Sequence, residues 1–352
     1  MKRYLPIMII LPLGIYGVAC SSSSNGQDEA NNPADPGSGG DNPSGGGAPT
    51  PDAGVDLTVN PIDGIDPAVS VLETDAYTDG AAWHIGQQVL YFTTPLGTGA
   101  LYRMRVDGSV MKVADGDATT GDFPIGNAVD TNDNGNLYMV NAFDITRTNP
   151  MADSGAPEMI ANGYMVGGVL TKFDSLKAAV VRKDGTIYAT DPGYASVDGP
   201  AQNRIYQITP DKQVNVADSF DDIPRPNGIA LSPDQTELYV GFTEPQSGSL
   251  PYIRKYHLND DGTLGESLKW TEMDALDSTP DGVEVDQGGN VYVATQAGIA
   301  VYKSDGTKIG VIAVPEWPTT MAFGGPDLKT MFITTQNSKI WKVTINIPGI
   351  AQ

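Results

Sequence analysis

The chain has 352 residues, with 43 Asp and Glu against 21 Lys and Arg, a formal net charge of −22 and one cysteine. That charge balance argues against a nucleic-acid partner, which requires clustered cations. The lone cysteine is Cys20, so no intramolecular disulfide, thiol nucleophile or cysteine-based metal site is available to a folded part beyond it.

The N-terminus predicts a compartment. Lys2 and Arg3 precede an almost wholly apolar run from Leu5 to Ala19, followed by Cys20. A basic start, a short apolar run and small residues before a break predict a secretory signal over residues 1–19. Gly17-Val18-Ala19-Cys20 resembles a bacterial lipobox, with Gly17 where that pattern prefers Leu. The expectation is lipidation at Cys20 and a protein on the bacterial cell envelope that meets the membrane only through that lipid. An ordinary cleaved signal with an incidental cysteine is the alternative. From residue 21 to about 56 the chain is rich in Ser, Gly, Asn, Pro and Asp and nearly lacks large apolar residues. Such a stretch cannot bury enough surface to offset its chain entropy, so residues 20–60 are expected to be a disordered tether.

Residues 61–350 hold an internal repeat. A strand-like motif with a central aromatic recurs at Tyr91, Tyr138, Tyr188, Tyr239, Tyr292 and Phe332, with spacings of 47, 50, 51, 53 and 40 residues. A turn precedes each copy, as in Asn134-Gly135-Asn136, Lys183-Asp184-Gly185 and Gln287-Gly288-Gly289. Asn-Gly and Asp-Gly pairs favour hairpins because both residues tolerate positive φ. Alternating segments such as Leu101–Met104, Arg204–Gln207 and Ile253–Tyr256 follow as further strands, and no long helical period is present. Six such units predict an all-β fold, a six-bladed β-propeller. The last unit is one strand short, and Ala68–Leu72 lies before the first, so that segment is expected to supply the missing outer strand and close the ring.

Counting back 11 or 12 residues from each aromatic reaches Asp79, Asn127, Lys177, Asn227, Asp281 and Thr320. All six are polar although apolar strands follow. In a propeller these positions open the channel-lining strands, near one mouth of the channel. A water-filled channel would satisfy them; the carboxylates and amides would equally suit a hard cation, which takes oxygen ligands. Pro226 and Gly228 flank Asn227, and Pro280 and Gly282 flank Asp281, fixing the backbone on both sides of each.

With these motifs the chain resembles the senescence marker protein/gluconolactonase (regucalcin-like) family. Pro226-Asn227-Gly228, Pro280-Asp281-Gly282, Phe323-Gly324-Gly325 before Met331–Thr334, and Val180–Pro192 carry the resemblance. It implies one divalent metal ion, calcium or zinc, held by Asp79, Asn227 and Asp281, with Asp79 one methylene shorter than the family's Glu. It also implies hydrolysis of a lactone or similar ester, with Asp281 as both ligand and general base, and a monomer acting on a small-molecule substrate near Lys177 and Asn127. Lys177-Ala178 departs from the family's usual Asn-Asp. A charged lysine has no lone pair and cannot ligate a metal. It can replace a cation's charge, pair with Asp79 or Asp281, or meet an anionic ligand. The alternative function is a non-catalytic binding or scaffolding propeller. Asp130–Gly135 resembles the start of a calcium loop, but Asn141 stands where a bidentate Glu is needed and a hairpin turn is due there. His84 and His257 fall in different repeats, which argues against a histidine-based triad.

Overall fold

In the computed structural model the described residues are 55–350, apart from the stretches 96–98, 117–122, 131–134, 152–155, 195–201, 222–223, 244–249 and 275–278. The expected signal peptide, Cys20, the tether as far as residue 54 and most of the calcium-loop-like turn lie outside them. Among the described residues there is no helix. Every strand but one pair belongs to a four-stranded antiparallel sheet, and six such sheets form a six-bladed β-propeller.

The first strand, β1 (Val69–Glu73), belongs to the last blade. Blade 1 is β2 (Asp79–His84), β3 (Val89–Thr94), β4 (Ala100–Arg105) and β5 (Val110–Ala114). Blade 2 is β6 (Pro124–Asp130), β7 (Asn136–Asn141), β8 (Ile145–Thr148) and β9 (Glu158–Ala161). A two-stranded hairpin, β10 (Tyr164–Val166) and β11 (Val169–Thr171), leads to blade 3, which is β12 (Ala179–Val181), β13 (Ile187–Asp191), β14 (Gln202–Ile208) and β15 (Val214–Asp221). Blade 4 is β16 (Arg225–Leu231), β17 (Glu237–Thr243), β18 (Tyr252–Leu258) and β19 (Leu264–Glu272). Blade 5 is β20 (Val283–Val285), β21 (Val291–Thr295), β22 (Gly298–Tyr302) and β23 (Lys308–Ile312). Blade 6 is β24 (Pro318–Gly324), β25 (Thr330–Thr335) and β26 (Lys339–Thr344), completed by β1, which pairs with β26 from Val69↔Lys342 to Glu73↔Lys339.

The burial gradient across a blade explains the sequence pattern. The two inner strands are sandwiched between neighbouring blades, so β3 and β7 are buried at every residue and read as continuous apolar runs. The third strand is mixed, with β4 buried at Ala100, Leu101 and Met104 and more open between and after them, and the outer strand β5 is almost wholly exposed. The six repeat aromatics are all buried on the second strands. Of the tyrosines among them, Tyr91 donates to Gln87 Oε1 at 2.7 Å, Tyr188 to the Gly262 carbonyl at 2.6 Å and Tyr292 to Asp286 Oδ2 at 2.9 Å. The hairpin before each aromatic carries a positive-φ residue, at Gln88, Gly135, Gly185, Gln235, Gly289 and Leu328.

The apolar core is divided into six clusters, one between each pair of adjacent blades. The cluster joining Trp83, Leu90 and Phe92 of blade 1 to Ala322 and Phe332 of blade 6 closes the ring. Trp83 stacks on Phe332 at 5.3 Å. Chain ends reinforce the closure. Asn346 donates to the carbonyls of Asn60 and Asp63, and its backbone N–H to Pro61. Gln287 of blade 5 donates to the Pro348 carbonyl, and Gly349 to Leu328 of blade 6.

Candidate functional site

All six residues counted back from the repeat aromatics line one cavity at the hub. Two devices bring them there. In blades 1, 2, 4 and 6 the pairing of first and second strands slips at the mouth, between Asp79 and Ala82, Pro124 and Gly126, Pro226 and Ile229, and Pro318 and Met321. Such bulges re-aim a side chain out of the ladder. They also place Asn127, Asn227 and Thr320 inside their strands rather than at the opening residue. The second device is glycine. A Cβ on Gly80 would lie 2.6 Å from the Ile125 carbonyl oxygen, on Gly126 2.6 Å from that of Lys177, on Gly228 2.0 Å from that of Asp281, and on Gly282 2.7 Å from Thr320 Cα. Neighbouring blades touch backbone to backbone at these points. The glycines beside the polar residues are what allow the ring to be this narrow.

Lys177 is held by its own loop. Asp191, fully buried at the end of β13, accepts the backbone N–H groups of Asp174 and Ser175 at 2.8 Å and of Gly193 at 3.1 Å. Burial nonetheless pushes its carboxyl up to about 6. The Leu176 N–H bonds the Ala142 carbonyl of blade 2, and Lys177 N–H bonds the Thr190 carbonyl. The Thr190 hydroxyl donates onward to the Asn227 carbonyl at 2.6 Å, tying blade 3 to blade 4.

So positioned, the Lys177 ammonium reaches two carboxylates, Asp79 Oδ2 at 2.5 Å and Asp281 Oδ1 at 3.4 Å. The cluster is nearly enclosed, with the Lys177 side chain 12% exposed and that of Asp79 2%. Burial pulls the Lys177 ammonium down, but Asp281 and Asp79 outweigh it, and the net effect holds it well above the usual lysine value. Asp281 moves above the ordinary carboxylate range: burial raises it, Lys177 lowers it and the Asp79 charge raises it again. Tyr77, whose hydroxyl lies 3.4 Å from Asp79 Oδ2, is raised by burial and by Asp79.

The remaining polar atoms divide into satisfied and unsatisfied. Asn127 donates from Nδ2 to the Gly80 carbonyl at 2.6 Å, and Thr320 Oγ1 accepts the Ala81 N–H at 2.9 Å while contacting Thr334 Oγ1 at 2.7 Å. Among the described residues, no protein hydrogen-bond donor satisfies Asn127 Oδ1 or Asn227 Oδ1, although both are buried, while Asp281 Oδ1 faces the Lys177 ammonium at 3.4 Å. The cavity they border is about 80 Å³, room for several waters or one small ring molecule. Trp83, Ala128, Ile229, Met321 and Phe323 give it apolar walls. Sequence reasoning passed over Glu284, a half-buried carboxyl on the same cavity that burial pushes up to about 8. It also passed over Tyr77. Cys20, the expected lipidation site, lies outside the described residues.

A family model, the SMP-30/Gluconolactonase/LRE-like region, matches residues 77–337, the span that contributes all six polar residues of the ring and Glu284. The chain belongs to the SMP-30/gluconolactonase/LRE-like family. Among curated relatives it is 29% identical to a gluconolactonase of Zymomonas mobilis over 183 residues, 48% of this chain and 50% of that protein. It is 30% identical to a pentonolactonase of Haloferax volcanii over 138 residues, 38% of this chain and 45% of that protein. The chain thus spans about half the length of the curated relatives it matches. A solved gluconolactonase of Xanthomonas campestris superimposes with a TM-score of 0.67 at 25% identity, covering 81% of this chain and 91% of that one. A calcium-binding regucalcin of Agrobacterium tumefaciens shares the fold, with a TM-score of 0.64 at 17% identity over 81% of this chain and 95% of that one.

The family resemblance implies a divalent ion on Asp79, Asn227 and Asp281, and the side chains allow that to be tested. A hard divalent ion such as Ca²⁺ sits about 2.3–2.6 Å from its oxygens. Bound to Asp79 Oδ2 it would lie within about 5 Å of the Lys177 ammonium, a repulsion of about 7 kcal/mol or more at an effective dielectric of 20. The other oxygen, Asp79 Oδ1, already accepts the Gly80 N–H at 2.9 Å. While Lys177 holds this position, the set does not fit a divalent ion.

Proposed function

We propose that the chain is a lactonase-type hydrolase that opens a small lactone or related ester at the hub of the propeller. The observation that carries this reading is one cavity in which an ammonium between two carboxylates borders two buried amide oxygens, Asn127 Oδ1 and Asn227 Oδ1, with no protein donor among the described residues. Family membership supports it, as do relatives named for acting on sugar lactones. Hydroxyl groups of such a ligand would donate to Asn127 Oδ1 and Asn227 Oδ1, which otherwise stay desolvated at a cost.

In this reading Asp281 is the general base. Its raised affinity for a proton suits it to take one from a water near neutral pH. The water oxygen bonds to the carbonyl carbon, and the tetrahedral intermediate collapses by breaking the bond to the ring oxygen. That oxygen takes the proton from Asp281, leaving a hydroxy acid. Lys177 and Asn127 orient the substrate. A metal-dependent version, with Ca²⁺ or Zn²⁺ on Asp79, Asn227 and Asp281, requires the Lys177 ammonium to withdraw first.

The test is acid release from a panel of five- and six-carbon sugar lactones, beside the Asp281→Asn variant. The expected loss in kcat is about 10²–10⁴-fold with little change in KM. No turnover by the wild type on any lactone would defeat the proposal. It would favour the second reading, a non-catalytic propeller, whose motivating observation is the same Lys177–Asp281 pair closing the hub. A monomeric state and an envelope location with lipidated Cys20 are further proposals, the latter supported by the leader sequence alone.

A further inference from the structure

We propose that the Lys177 ammonium is the resident cation of this site, standing between Asp79 and Asp281 in place of a divalent ion, and that it supplies the positive charge that polarises the substrate carbonyl. The second half rests on the lactonase reading; the first half does not.

The geometry argues for a built position rather than a surface lysine that has folded inward. The loop carrying Lys177 is clamped at two consecutive backbone N–H groups by the buried Asp191, and at the next two by carbonyls of blades 2 and 3. Asp174 and Ser175 bond the Asp191 carboxylate, Leu176 the Ala142 carbonyl and Lys177 the Thr190 carbonyl. The closest approach of blade 2 to this loop, Gly126 against the Lys177 carbonyl, admits no side chain larger than hydrogen. The side chain then enters a ring whose other polar members come from the five other blades. There it meets two carboxylates, neither of which has another cationic partner in the described residues. Its oxygen partners are the same two carboxylates that the sequence pattern offers to a metal. A protein-borne cation with three donors and a divalent ion compete for that space, and the ammonium is tethered at an effective concentration no free ion matches.

A charged ammonium held close to Asp281 also lies where a carbonyl oxygen would gain negative charge during attack by a water on that carboxylate. Preorganised charge at that point stabilises the intermediate without any rearrangement. Lys177 would then contact the reacting oxygen directly.

The deciding measurement is metal content. Purified wild-type protein is incubated separately with Ca²⁺, Zn²⁺ and Mn²⁺, desalted and analysed by plasma mass spectrometry. In parallel its thermal melt is followed with each metal and with chelator. The wild type is expected to retain less than about a tenth of an ion per chain and to show no metal-dependent melt. Lys177→Asn is expected to take up about one ion per chain and to melt about 5 °C higher with metal, both effects vanishing in Lys177→Asn/Asp281→Ala. Stoichiometric metal in the wild type, released by Asp281→Ala, overturns the proposal. So does a folded Lys177→Asn that binds no metal. If that variant does not fold, Lys177→Gln takes its place, and the wild-type content decides the first half in any case. For the second half, chelated wild type is expected to keep its lactone turnover, and turnover lost to chelator and restored by metal overturns it. No turnover in any form defeats the lactonase reading while leaving the metal result standing.

Discussion

Gly228→Ala tests the claim that the hub is held by backbone contact between blades. The ideal Cβ at this position lies 2.0 Å from the Asp281 carbonyl oxygen, 2.7 Å from the Val283 nitrogen and 2.8 Å from the Gly282 carbonyl carbon. All three atoms are main chain, so no rotamer change can relieve the clash. The strands must separate by about 1 Å, in a region packed to crystal-like density. Overpacking of buried positions costs about 1–3 kcal/mol, and a rigid backbone partner puts this case at the upper end, about 3 kcal/mol. For a domain of this size that corresponds to a fall of about 6–12 °C in melting temperature. The displaced residue is Asp281 itself, and a misplacement of about 1 Å at a reacting group costs about 100-fold in rate. Circular dichroism melts and lactone turnover measured on the same preparation check both effects. A variant melting within about 2 °C of wild type, with unchanged kcat, would show that the blades are not locked together at this point.

Two other perturbations separate the fold from the charge at its centre. Burial holds the Glu284 carboxyl near 8 rather than near its ordinary 4.5, so the folded chain binds this proton more tightly than the unfolded one. Its contribution is therefore favourable at low pH, and stability falls as pH climbs from about 4.5 to about 8, by about 2 kcal/mol once channel water is allowed for. Glu284→Gln should flatten that part of the pH dependence in urea titrations and leave the protein more stable than wild type above pH 8; an unchanged slope would mean another group carries it. Separately, a chain beginning at residue 75 lacks β1 and the partly buried Ile62, Ile65 and Ala68 that pack on the last interblade cluster. It should expose the edge of β26 and aggregate on size-exclusion chromatography, whereas a chain beginning at residue 55 should elute and melt like the full protein.

The parts of this molecule that were legible in the sequence are those where one residue faces one kind of surroundings all round the ring. The second strand of every blade is pressed between two neighbours, so Tyr91, Tyr138 and Tyr188 sit in continuous apolar runs, and the runs can be counted. The strand that closes the ring was legible for the same reason: the sixth repeat lacks an outer strand and Val69–Glu73 has no other sheet to join. Polar residues just ahead of apolar strands marked the hub, and Asp79, Asn127, Lys177, Asn227 and Asp281 do meet there. Thr320 meets them too, but its hydroxyl is occupied by Ala81 and Thr334. The β10–β11 hairpin was missed although Gly167-Gly168 turns it, because it belongs to no repeat. Glu284 was missed for a different reason. Val283-Glu284-Val285 reads as a half-buried strand with its glutamate in solvent, and only closure of the ring turns that face into the wall of a cavity. The same limit applied to Lys177. Its spacing placed it at the mouth, but which carboxylate it reaches depends on the backbone clamp built by Asp191, fourteen residues further along the chain. A sequence shows which charges arrive at a hub; the distances of 2.5 and 3.4 Å that make one ammonium the shared partner of two carboxylates belong to the closed ring alone.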